Sequence, residues 1–140
     1  MGYLTDAKAY LKTGNALSQC DVDLFSPVYF LLCHGIELSL KAFILASGGS
    51  ERELNKQDIR HHLDALRNRA HLLGYQPAHE KTDAVIDRLP PHHSNHSFRY
   101  RDPGYKSFPL IADTIEVLAS MLDEISPVVW RKVRAAISQP

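Results

Sequence analysis

Ser26-Pro27-Val28-Tyr29-Phe30-Leu31-Leu32-Cys33-His34-Gly35-Ile36-Glu37-Leu38-Ser39-Leu40-Lys41-Ala42-Phe43-Ile44-Leu45-Ala46-Ser47 is the stretch whose reading decides the fold. Ser-Pro is a helix start: the serine oxygen can accept from a free backbone N–H, and proline has no donor to waste in the first turn. Gly48-Gly49 supply the stop. At about 100° per residue the apolar side chains fall at almost every angle, so this helix is expected at the centre of a bundle, covered on all sides. His34, Glu37 and Lys41 interrupt that pattern within about 60° of one another, as one polar line two turns long. A bilayer-spanning helix would bury them at considerable cost, so the stretch reads as a core helix. The polar line has two readings. It is an interior site or switchable interface in which the three groups perturb one another, or a structural network with a neighbouring helix or a second subunit. The structural network is the favoured one.

Working outward, helix signals recur and strand signals are almost absent. On the N-terminal side, Thr5 is placed to cap an amphipathic helix carrying Ala7, Tyr10, Leu11, Ala16 and Leu17 and ending near Gln19. Beyond the glycines, Ser50-Glu51-Arg52-Glu53 has the capping-box pattern of a short helix. Leu63, Leu66, Ala70 and Leu73 then keep helical spacing up to Gly74, and a further helix is expected over Ala78–Leu89. Pro90-Pro91 forbids its continuation and opens a long loop to Lys106. A helix over Ser107–Ile125 follows, with Pro109 near its first turn, and Ser126-Pro127 is read as restarting a last helix through Trp130 and Val133. Four or five main helices with short connections predict an all-α, antiparallel up-and-down bundle over residues 1–140, a single domain without internal repeats.

The composition agrees with one folded domain. Of 140 residues 44% are hydrophobic and 23% charged, enough apolar surface for a core and too little charge for a disordered chain. Sixteen basic residues balance sixteen acidic ones, so no global field gathers nucleic acid or anionic lipid, and any basic site is local. No charged segment followed by an apolar run opens the chain, which reads as cytoplasmic and not membrane-bound. Cys20 and Cys33 fit no metal or redox spacing and are expected to be buried thiols.

The loop carries the residue types with most chemistry. Phe98-Arg99-Tyr100-Arg101-Asp102-Pro103-Gly104-Tyr105-Lys106 interleaves aromatics with three cations against one aspartate. Arginine forks suit phosphate and aromatic faces suit stacked bases, so Arg99, Tyr100, Arg101 and Lys106 are candidates for binding RNA or a nucleotide. The alternative is that the aromatics anchor the loop while the arginines pair with helix carboxylates. His92, His93 and His96 lie close enough to suggest a metal, but no Cys or acidic pair at a recognised interval completes a ligand set, and solvated histidines are preferred. No metal or other cofactor is expected. Arg88 and His93 form an R-x4-H pair: the guanidinium can hold a scissile phosphate and the imidazole can move a proton. Phosphate-loop, dinucleotide, nucleophile-elbow and H-E-x-x-H motifs are absent from the sequence.

Leu31-Leu32-Cys33-His34-Gly35-Ile36-Glu37-Leu38-Ser39-Leu40-Lys41-Ala42, then Gly48, then His61-His62-Leu63-Asp64-Ala65-Leu66 and Ala70, resembles the HEPN superfamily pattern: a central (A/H)-x-x-E-L-x-L-K-A helix and a later H-x-L-x-x-L helix. Phe98-Arg99-Tyr100 is similar to the F-R-Y segment of small bacterial HEPN-like proteins. The resemblance spans about two thirds of the chain and implies a helical bundle, often a homodimer. Its members include toxin ribonucleases with protein antitoxins, phage-defence proteins, and non-catalytic RNA- or nucleotide-binding proteins. It implies Arg88 and His93 as the positions matching the R-x4-6-H motif of the metal-independent ribonucleases. Arg88 is followed here by Leu89 and two prolines, where those enzymes usually carry Asn, Asp or His. Glu37 and Lys41 fall on framework positions of the pattern, and His61 is implied as an N-terminal helix residue oriented by the packing, with no catalytic role. Two functions are therefore expected in competition: RNA or nucleotide engagement through residues 88–106, with or without cleavage, and a non-catalytic dimeric interaction module.

Overall fold

The computed structural model describes residues 2–20, 24–89 and 109–139, and among them every regular element is helical. The elements are α1 (Gly2–Ser18), α2 (Phe25–Ala46), α3 (Glu51–Leu54), α4 (Leu63–Leu72), α5 (Thr82–Arg88) and α6 (Ile111–Ile137). The chain is all-α.

Helix α2 is the hub, as its all-round apolarity requires. It packs on α1, α4 and α6, burying Val28, Tyr29, Leu32, Ile36, Leu40 and Ile44 almost completely. Each such side chain contributes about 1.5–3 kcal/mol of burial. Two glycines let the neighbours close in. A Cβ on Gly35 would stand 2.7 Å from Leu118 Cδ2 and 3.5 Å from Tyr10 Cβ, so α6 and α1 converge there from two sides. One on Gly14 would stand 3.0 Å from Leu32 Cδ2. By length and composition α2 is long and apolar enough to cross a membrane, yet 78% of its most apolar window is buried inside the protein.

Direction can be read from the pairs that touch. Gly14 meets Leu32 and the Tyr3 ring lies by Lys41, so α1 runs antiparallel to α2. The Tyr29 hydroxyl donates to the Pro109 carbonyl, Gly35 meets Leu118, and Lys132 Nζ donates to the Leu45 carbonyl at 3.1 Å. Thus α6 runs parallel to α2, a departure from the strict alternation expected of an up-and-down bundle.

Several boundaries differ from the sequence expectation. Helix α1 already includes Gly2, so Thr5 lies inside it. Helix α2 starts one residue before Ser26, behind Leu24, without a side-chain cap; the Leu24 carbonyl accepts from Val28 N, and Ser26-Pro27 occupy the first turn, where proline's missing N–H costs nothing. The capping box at Ser50 forms as expected, its hydroxyl accepting from Glu53 N at 3.1 Å. Gly74, at φ 102°, takes the left-handed position that ends α4. Helix α5 is shorter than expected because residues 78–81 form a turn held by Thr82 Oγ1 donating to the His79 carbonyl. Pro127 does not restart a helix: α6 runs through it unbroken. Pro127 and Asp123, whose carbonyl loses its helical partner, are both exposed residues, where a missing bond costs least because solvent is near. Cys33 is buried as expected, whereas Cys20 is exposed.

Candidate functional site

The polar line of α2 resolves into a cluster built around one carboxylate. Glu37 is 1% exposed in the middle of the central helix. One turn later Lys41 donates to its Oε2 at 3.2 Å, in the Glu-then-Lys order that suits the i, i+4 geometry. One turn earlier His34 Nδ1 lies 3.6 Å from the same oxygen. The other oxygen, Oε1, faces His61 Nδ1 at 3.2 Å. A buried carboxylate is tolerable only when its charge and lone pairs are matched, and these partners on both oxygens supply the match.

Each partner is held from behind. The His34 ring sits edge-on to Tyr10, centroids 4.7 Å apart, and stacks on Phe30 at 6.1 Å. Lys41 Nζ lies 5.9 Å from the centre of the Tyr3 ring, a cation–π distance. The Tyr3 hydroxyl in turn donates to Glu51 Oε2 at 3.0 Å. Burial, the Glu51 hydrogen bond and the nearby charges of Glu51 and Glu37 all push that phenol above its ordinary range. Glu53 pairs with Arg69, tying α3 to α4. Cys33, buried beside the cluster, has its thiol pushed up by burial first and by the Glu37 charge second, which makes it a packing residue and not a nucleophile.

His61 reaches the cluster from a different part of the chain. After α3 the backbone closes in tight turns, with Arg60 N bonded to the Lys56 carbonyl at 2.8 Å and His62 N to the Ile59 carbonyl at 3.0 Å, and His62 then takes the N-cap position of α4. His61 is thereby fixed one residue outside the helix with its side chain 44% exposed. Its Nδ1 faces the core; its Nε2, on the far side of the ring, points away from Glu37. The sequence pattern made His61 an N-terminal helix residue without a catalytic role; it lies instead just outside α4. Nothing in spacing pairs it with Glu37 across twenty-four residues; the one available signal was an imidazole inside the H-x-L-x-x-L segment.

Arg88 comes to the same end of the molecule. His71 Nε2 is 3.9 Å from Asp83 Oδ1, and Arg67 Nη1 is 3.8 Å from Asp83 and 2.5 Å from Asp87. Each turn back along α4 matches a turn forward along α5, so the two are antiparallel. Arg88, the exposed last residue of α5, therefore arrives at the N-terminal end of α4, the end adjoining His61. His93 and the binding candidates Arg99, Tyr100, Arg101 and Lys106 lie outside the described residues, as do His92 and His96. Among the described residues no group of three His, Cys, Asp or Glu side chains is arranged to hold a metal ion. No protein family, curated protein or solved structure matches the chain.

Proposed function

We propose that this chain is a cytoplasmic, homodimeric HEPN-like protein that engages RNA or a nucleotide through residues 88–106 and cleaves RNA without a metal, in the manner of toxin or phage-defence ribonucleases. The observation that carries the reading is the carboxylate of Glu37, buried yet in reach of two partly exposed imidazoles. It lies within the very E-L-x-L-K-A segment on which the HEPN resemblance rests. Imidazoles beside a fixed charge are the equipment of proton transfer, and an arginine near them suits a phosphate. In this reading Arg88 and Arg99 neutralise the scissile phosphate, His93 assists transfer from a ribose 2′-hydroxyl, and a protein antitoxin is the natural partner. The test is cleavage of single-stranded and structured RNA in excess EDTA. Wild-type protein cleaves, and the Arg88→Ala/His93→Ala variant, equally folded, does not; intact RNA with both proteins rejects the ribonuclease.

A second reading, a non-catalytic interaction module, is favoured by the far end of α6. There Trp130 and Ile137 are 40% and 78% exposed, and with Val133 they share one stripe of the helix. Under that reading Trp130→Ala lowers self-association in analytical ultracentrifugation and RNA stays intact.

A further inference from the structure

We propose that His61 is a second proton-transfer residue of the site, with Glu37 as the residue that positions it; the assignment rests on the RNA-cleavage reading above. Glu37 Oε1 is only an acceptor while the carboxylate is paired with Lys41, so the neutral His61 ring carries its proton on Nδ1 and donates it to Glu37 at 3.2 Å. Among the described residues Nε2 has no hydrogen-bond partner, so its lone pair lies open on the outward side of a half-exposed ring. Free histidine favours the opposite tautomer, so the buried carboxylate selects the basic nitrogen and aims it outward. The orientation is rigid because Glu37 sits mid-helix in the core, and because the turn ending at His62 fixes the His61 backbone. Arg88 ends α5 on the side of the helix pair where α4 begins, and in this reading its guanidinium supplies the charge that a phosphate needs.

The chemistry balances without a metal or a redox partner. His61 Nε2 takes the proton of a ribose 2′-hydroxyl, with His93 assisting only as a hydrogen-bond partner of that hydroxyl, and the 2′-oxygen forms a bond to the adjacent phosphorus as the bond from phosphorus to the 5′-oxygen breaks. The leaving 5′-oxygen takes a proton from solvent, and the imidazolium later returns its own to solvent. The products end in a 2′,3′-cyclic phosphate and a 5′-hydroxyl. Glu37 does not take the proton; it stabilises the imidazolium that forms and holds the ring.

Cleavage of a fluorescent oligoribonucleotide in EDTA by wild type, His61→Ala, His61→Gln, Glu37→Gln and Arg88→Ala/His93→Ala tests this. Both His61 variants are expected to lose about 100-fold or more in kcat, with added imidazole restoring part of the His61→Ala rate. Glu37→Gln, which offers Nδ1 an N–H in place of an acceptor, is expected to lower kcat with KM unchanged. It is also expected to abolish the Nδ1–H signature of His61 in nitrogen-15 NMR. If the His61 variants cleave at the wild-type rate while the Arg88/His93 variant is dead, the His61 assignment is overturned and the loop reading stands. If the His61 variants are dead and the Arg88/His93 variant is active, the His61 assignment stands while Arg88 and the loop both lose their roles in cleavage. A wild-type protein that cleaves none of the RNAs overturns both.

Discussion

Glu37 and Asp87 are both carboxylates paired with a cation, yet one side chain is 1% exposed and the other 61%. Around Glu37, two imidazoles and an ammonium from α2 and the turn before α4 meet in the core. On α4, α5, α6 and the turn before α5, Arg67–Asp87, Lys81–Asp113 and His79–Glu116 each have one partner about half or more exposed to water. The chemistry of the pairs is similar, and their surroundings decide what each contributes. Water screens the outer pairs and readily replaces either partner; nothing replaces a partner of Glu37.

The largest effect follows from breaking the inner cluster. Lys41→Met leaves the Glu37 carboxylate buried beside an apolar side chain, and urea denaturation should show a loss of about 3–5 kcal/mol. Glu37→Met/Lys41→Met removes both charges and should recover most of that loss, because the penalty belongs to the unpaired charge and not to the missing attraction. A double variant as unstable as the single would place the Lys41 contribution in packing.

Smaller effects come from the apolar frame that holds the cluster. Gly35→Ala forces Leu118 away from α2 and should cost about 1–3 kcal/mol, read in the same titration. Tyr29→Phe removes the hydroxyl that donates to the Pro109 carbonyl, for about 1–2 kcal/mol. It should also change the alkaline limb. Burial first, then the charges of Cys33 and Asp113, pushes the Tyr29 phenol up to about 12 from its ordinary 10.0. The fold therefore favours the neutral phenol, and its contribution is complete below pH 10 and lost as pH rises through about 12. Thermal melts between those values should fall less steeply in the phenylalanine variant.

At the outer pairs the expected effects are smallest. Asp87→Asn should change stability by about 0–1 kcal/mol, less still in high salt, because the Debye length falls to about 3 Å at 1 M. A loss as large as that of Lys41→Met would erase the distinction between the two regions.

The same contrast explains what the sequence made legible. Local signals sufficed where one segment decides: the apolarity of α2, the capping box at Ser50, the stop at Gly74, and the i, i+3 and i+4 stacking of His34, Glu37 and Lys41 are all within reach of a helical wheel. They failed where tertiary context overrides a local rule. Pro127 looked like a restart and proved tolerable within α6, at an exposed position of the helix. Ser26 looked like a cap and fell inside the first turn, since α2 gains apolar contact by beginning at Phe25. His61 was given no catalytic role, since its partner Glu37 is twenty-four residues away on α2 and only the fold closes that distance. The direction of α6 was likewise invisible, being set by how the intervening elements return the chain and not by α6's own residues.

The most direct measurement is a heteronuclear NMR titration of the protein with a short single-stranded oligoribonucleotide in EDTA. The account predicts saturable shifts gathered at His61, the start of α4 and Arg88, with the core of α6 unmoved. Resonances that do not respond there, or shifts confined to Trp130, Val133 and Ile137, would contradict RNA engagement beside His61.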